Sequence, residues 1–141
     1  MNRSGKNCLQ VAFGKKEGII MAWEHFDVFD SGKCVVRDMN SGQEQEWEYL
    51  FGYVTTGKQR VFMNYRLIVQ EKDNGRCFVG NYRHHLWGTL CDIHAKMLEH
   101  GLDLHVAGTS ERYYETGLSH NSGWGYLRGT DIAIRMMDSY Y

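Results

Sequence analysis

The stretch Arg60–Glu71, RVFMNYRLIVQE, decides the fold. Val61, Met63, Tyr65, Leu67 and Val69 alternate with Phe62, Asn64, Arg66, Ile68 and Gln70 throughout it. Successive side chains of a strand point to opposite faces, so a period of two held this long reads as a strand with one mainly apolar face. Glu46–Val54, EWEYLFGYV, repeats the pattern, with Trp47, Tyr49, Phe51 and Tyr53 on one side. Around these runs lie Ser31-Gly32, Asn40-Ser41-Gly42, Thr55-Thr56-Gly57 and Asp73-Asn74-Gly75. Short glycine-containing turns of this kind join antiparallel neighbours. The expectation is an antiparallel meander over residues 24–79. Within it, 24–30 reads as a strand entering a turn at Ser31-Gly32, and 16–23 fits a helix or a strand.

Downstream the period changes. Leu86, Leu90, Ile93 and Met97 fall at helical spacing, with Trp87, Cys91, His94 and Leu98 widening the stripe. A helix over Tyr82–His100 follows, with Asn81 as N-cap and Gly101 as its stop. Gly88 within it costs about 1 kcal/mol relative to alanine. A one-sided stripe has to be covered, and the apolar sheet face is the cover at hand. Leu102, Leu104 and Val106 then alternate as a strand, and Thr130–Met136 closes the pattern with Ile132, Ile134 and Met136 on one face. The fold class is α+β: a mainly antiparallel meander sheet packed on one long amphipathic helix.

A chain of 141 residues, 43% hydrophobic and 23% charged, reads as a single domain spanning 1–141. Proline is absent, whereas a typical usage of about 5% would supply roughly seven. Sixteen glycines are present, and the expected turns carry glycine in its place. Edge strands therefore carry no proline to guard them against pairing, which leaves room for a homodimer. The formal net charge is −1, and the lone Lys15-Lys16 pair runs straight into Glu17. A phosphate-binding protein usually shows a basic excess, so nucleic acid is not the expected partner. Nor does any segment carry the apolar run that a membrane span or signal core needs. Cys8, Cys34, Cys77 and Cys91 are widely spaced with no C-x-x-C, and they read as small buried hydrophobes of a reducing, cytoplasmic protein.

Chemistry-bearing motifs are thin. Cys91 and His94 lie three apart, but no H-E-x-x-H or paired C-x-x-C supports a metal, and no cofactor is expected. Gly117-Leu118-Ser119-His120-Asn121 lacks the second glycine of a nucleophile elbow. Gly52 to Lys58 spells G-x-x-x-x-G-K, yet Gln59 replaces the hydroxyl residue and the segment joins two strands, which suits a hairpin. Glu46 and Glu48 share one strand face, the usual solvated side of a half-buried strand.

The segment 109–129 is long for a connection in a compact domain. It holds Arg112, Tyr113, Tyr114, Trp124, Tyr126 and Arg128, residue types enriched at binding hot spots. Its plainer reading is a hairpin, 111–116 against 124–128, with cross-strand aromatic pairs. The expected function is a small intracellular non-catalytic binding protein, an accessory, inhibitor or immunity-type module, taking a protein partner on this segment. The alternative is a small-molecule binding protein or enzyme with a pocket between sheet and helix. Its candidate residues are His94, His105, Glu111, Arg112, Glu115 and His120.

Overall fold

The computed structural model describes residues 23–73, 75–130 and 132–140. The meander comprises β1 (Glu24–Asp38), β2 (Glu44–Thr56), β3 (Val61–Gln70) and β4 (Cys77–Tyr82). Helix α1 (Leu86–Leu98) follows, and β5 (Leu102–Leu104) returns to pair with the far end of β1. The sheet runs β4-β3-β2-β1-β5, every pair antiparallel. A second, smaller sheet is built from β6 (Tyr113–Tyr114), β7 (Trp124–Leu127) and β8 (Ala133–Arg135), in that order. The molecule is α+β, as the two hydrophobic periods imply.

The alternation in Arg60–Glu71 sets the core. Leu67 and Val69 of β3 pair across from Phe51 and Tyr49 of β2, and all four are buried under α1. Leu90, Ile93 and Met97 supply the helix side of that interface, each fully buried. Burying a side chain of this size is worth roughly 1.5–3 kcal/mol, so this layer is the main source of stability. β4 lies under the helix, where Gly80 lets it come close: a Cβ there would stand 2.7 Å from Ile93 Cβ.

Three expectations need correction. Ser31-Gly32 is not a turn, since β1 continues through it for fifteen residues. The pairing register with β2 shifts between Val28 and Asp30, leaving Phe29 as the extra residue of a bulge. One extra residue exchanges the faces of everything after it. Phe26 therefore packs with Val54 and Ile68 on one face, while Cys34 and Val36 join Trp47 on the other. That break in alternation mimics a turn. The helix is also shorter than expected, because Tyr82 ends β4 and His85, not Asn81, is the N-cap, its Nδ1 accepting from Gly88 N at 2.9 Å. Gly88 is a glycine for packing reasons: a Cβ would sit 2.3 Å from the Tyr82 ring. Finally, Ile132 is 74% exposed, and Met136 and Met137 are buried instead.

Cys34 and Cys91 are free thiols, whereas Cys77 is disulfide-bonded, which departs from four separate thiols. Cys8, Lys15, Lys16 and Glu17, with residues 16–22 as a whole, lie outside the described residues. Among the described residues no helix is long and apolar enough to cross a membrane.

Candidate functional site

Helix length defines where the site lies. Thirteen residues of α1 span about 20 Å at 1.5 Å per residue, whereas thirteen residues of β2 span about 43 Å. The helix covers only part of the sheet face it packs on. Beyond its N-terminus the same face continues as a strip of stacked rings. Phe29, brought inward by the bulge, stacks on Phe51 at 5.5 Å and on Tyr53 at 6.3 Å. The alternation of Arg60–Glu71 sets Phe62 on the face opposite Tyr65, but the register with β2 shifts between Val54 and Thr55, leaving Met63 as an extra residue and bringing Phe62 to the Tyr65 face. Tyr53 meets Phe62 at 6.4 Å, and Phe62 packs edge-on against Tyr65 at 5.1 Å. Phe29, Tyr53, Phe62 and Tyr82 are all exposed, in contrast to Phe51, which Leu86 and its neighbours bury.

The second sheet forms one wall of this strip. A cleft of about 250 Å³ lies between Phe29, Asp30 and Phe51 on one side and Ser122–Trp124 and Arg135–Met137 on the other. Arg135 Nη2 donates to Asp30 Oδ1 at 2.6 Å, and the Tyr49 hydroxyl donates to Asp30 Oδ2 at 2.9 Å, so Asp30 is fully engaged. Burial, and then this bond, push the Tyr49 phenol well above its ordinary range, which keeps it a donor. Asn121 fixes the wall to the sheet. Its Oδ1 accepts from Leu86 N at 2.8 Å, at the start of α1, and its Nδ2 donates to the Tyr65 hydroxyl at 3.0 Å.

The expected hairpin of 111–116 against 124–128 forms, with β8 added as a third strand. It separates the six binding candidates. Arg112 donates twice to the Arg128 carbonyl, at 3.1 and 2.7 Å, so its guanidinium closes the hairpin. Tyr113 is buried, with its ring edge-on to Trp87 at 5.0 Å. Tyr114 and Tyr126 form a cross-strand pair at 5.7 Å, and Arg128 is exposed. Trp124, 45% exposed and lining the cleft, is the candidate that reaches the aromatic strip.

The alternative pocket residues fall into separate groups. His94 Nε2 lies 2.7 Å from Asp103 Oδ1, with His105 Nδ1 3.9 Å from the other oxygen and its ring stacked on Tyr140. Glu111 is exposed at the start of the hairpin. Glu115 and His120 sit at the other end of the helix. The Glu115 side chain is only 3% exposed; its Oε2 accepts from the Tyr113 hydroxyl at 2.9 Å. Its Oε1 makes no hydrogen bond, although His120 Nδ1 is 3.4 Å away. Burial first, then this hydrogen bond, raise the Tyr113 phenol far above its ordinary range. Partial burial and the Glu115 charge also raise the Cys91 thiol, which makes it a poor nucleophile. No group of three or more His, Cys, Asp or Glu among the described residues is placed to hold a metal.

Two further clefts lie along β1. One of about 320 Å³ is bounded by Ser31–Lys33, Leu50, Ile68 and Gln70, and one of about 350 Å³ by Lys33–Val35, Glu46 and Asp138–Ser139. Compared with known families, curated proteins and solved structures, the chain matches none. The site is therefore read from its own chemistry.

Proposed function

We propose that the protein is a non-catalytic binding module that takes a protein partner on the aromatic strip of Phe29, Tyr53, Phe62 and Tyr82, with Trp124 as its rim. The observation that carries this reading is the exposure of four large rings on the same face that elsewhere builds the core. Contiguous exposed apolar surface of this kind usually marks an interaction site, and aromatic side chains dominate interface energetics. The reading keeps Trp124 from the 109–129 segment and moves the centre of the surface onto the sheet. A partner of protein class is favoured over nucleic acid, since the formal net charge is −1 and three arginines near the strip are paired: Arg60 with Asp27, Arg66 with Glu24, Arg135 with Asp30.

A photo-crosslinking amino acid placed at Phe62 or Trp124 in living cells should capture a discrete protein partner. The same probe at Glu111 should capture nothing; equal capture from Glu111 would sink the assignment. A cytoplasmic setting belongs to the same proposal, with the Cys77 disulfide as the observation that weighs against it. Thiol trapping of Cys77 tests it: a reduced Cys77 fits the cytoplasm, and a disulfide that survives isolation places the protein in an oxidising compartment.

A second reading, a small-molecule site, has one observation in its favour, the unbonded Glu115 oxygen beside His120. A carboxylate oxygen left without a donor in the interior is costly, and a ligand N–H would satisfy it. Glu115→Gln should then abolish binding of any ligand that co-purifies; unchanged binding removes this reading.

A further inference from the structure

The two long edges of the five-stranded sheet are treated differently. At the β4 edge, helix side chains occupy the outward backbone groups: Asn81 N donates to Asp92 Oδ2 at 2.9 Å, and Lys96 Nζ donates to the Val79 carbonyl at 2.9 Å. At the opposite edge, β5 pairs only with Val36–Asp38 of the fifteen-residue β1, and the pairing ends with His105 N on the Val35 carbonyl at 2.8 Å. Backbone groups that point outward recur at every second residue, so the same direction falls on Lys33 and Ser31. Val28, Phe29, Ser31, Gly32 and Lys33 are all exposed, and no described strand pairs with them on this outer side; Arg135 and Asp138–Ser139 face this edge across the clefts.

Resting on the binding-module reading, we propose that this stretch of β1, unpaired on its outer side among the described residues, is a strand-addition site for an extended segment of the partner. Alternating outward N–H and C=O groups at strand spacing complement one kind of ligand, another extended backbone. Side chains of an added strand point alternately to the two sheet faces. Clefts lie on both: the one shared by Phe29 and Trp124 on the helix side, and the one bounded by Lys33, Leu50 and Ile68 on the other. The partner segment is thus an extended peptide carrying a bulky apolar residue for the Phe29–Trp124 cleft.

Proline supplies a clean test in a chain that has none. Lys33→Pro deletes an outward N–H while leaving the bonds to β2 intact, and Gly32 before it tolerates the pre-proline restriction. Lys33→Ala controls for loss of the side chain and of its exposed pairing with Glu46. The probe is a phage-displayed library of random dodecapeptides selected on the full chain, the selected peptide then being synthesised. Lys33→Pro should weaken that peptide by about tenfold or more, Lys33→Ala should leave it unchanged, and amide exchange at Ser31 and Lys33 should slow on binding. Equal binding by Lys33→Pro of unchanged thermal stability, or failure to select any peptide, overturns strand addition. Crosslinking from Phe62 would then still uphold the binding module. A dimer of this chain that Lys33→Pro abolishes would overturn the peptide assignment in favour of a second copy.

Discussion

One sheet face of this protein is used in two ways along its length. Under α1, Trp47, Leu67 and Val69 are fully buried against Leu90, Ile93 and Met97. Past the start of the helix, Tyr53 and Phe62 continue the same two strands with their rings in solvent. Both halves have the same kind of sequence, and the difference lies in what covers them. The covered half stabilises the fold, and the open half leaves its apolar surface exposed, the surface on which the proposed partner would sit.

Core truncation gives the largest expected effect. Leu90→Ala should lower unfolding free energy by about 3 kcal/mol, since it removes transfer energy and leaves a cavity in a dry interface. Equilibrium denaturation in urea measures it, and a loss below about 1 kcal/mol would erase the contrast between the halves. Gly80→Ala probes the same layer from the sheet side. Its methyl would meet Ile93 Cβ at 2.7 Å and backbone atoms at 2.9 Å, so a cost of about 2 kcal/mol is expected from overpacking.

A pH dependence separates the halves next. Burial, with the Glu46 charge as a smaller contribution, pushes the Cys34 thiol up to about 12 from 9.0. A raised folded-state value favours the folded form while the thiol is protonated in both states, below pH 9. That stability is lost as pH rises from 9 toward about 12, because the unfolded chain releases its proton first. Tyr49 and Tyr113 act in the same direction. Cys34→Ala should therefore show a shallower alkaline fall in chemical denaturation than the wild type; an identical slope would mean that Cys34 is not buried as described.

The smallest stability effect belongs to the open half. Tyr53→Ala and Phe62→Ala should each cost about 1 kcal/mol or less, the range for exposed aromatic pairs. Partner capture should fall sharply in the same variants. A large stability loss with unchanged capture would make the strip a part of the core after all.

The covered half was legible in the sequence. Leu86, Leu90, Ile93 and Met97 announce the helix, and Leu67 and Val69 announce what it covers. The open half was not, because period-two alternation reports which residues share a face and not whether that face is covered. Comparing α1 with β2 in length was the available signal. Phe29 and Phe62 are hidden for another reason: a bulge shifts the phase of β1, so Ser31-Gly32 reads as a turn and Phe29 as the end of a strand, and a second shift at Met63 moves Phe62 across from the face its alternation assigns. Residue type in a glycine-rich segment selects Trp124, which the fold leaves exposed, and equally Tyr113, which the core absorbs. Arg112 shows a similar limit, since nothing in its neighbourhood announces that its guanidinium will be used up by the Arg128 carbonyl.

The bond from Leu86 N to Asn121 has a consequence for the order of assembly. Contacts within 24–82 join neighbouring strands, and such near-sequence pairings form early at little loop-closure cost. The cleft wall is made by 122–124 and 135–137, residues synthesised well after the rings they face. During synthesis, domains fold as their chain emerges, and exposed apolar surface is then open to wrong encounters. Phe29, Tyr53 and Phe62 must therefore wait, uncovered, for Asn121 to arrive and anchor the wall. A ribosome paused between residues 100 and 120 would display the strip without its rim, which makes the nascent chain stickier than the finished one.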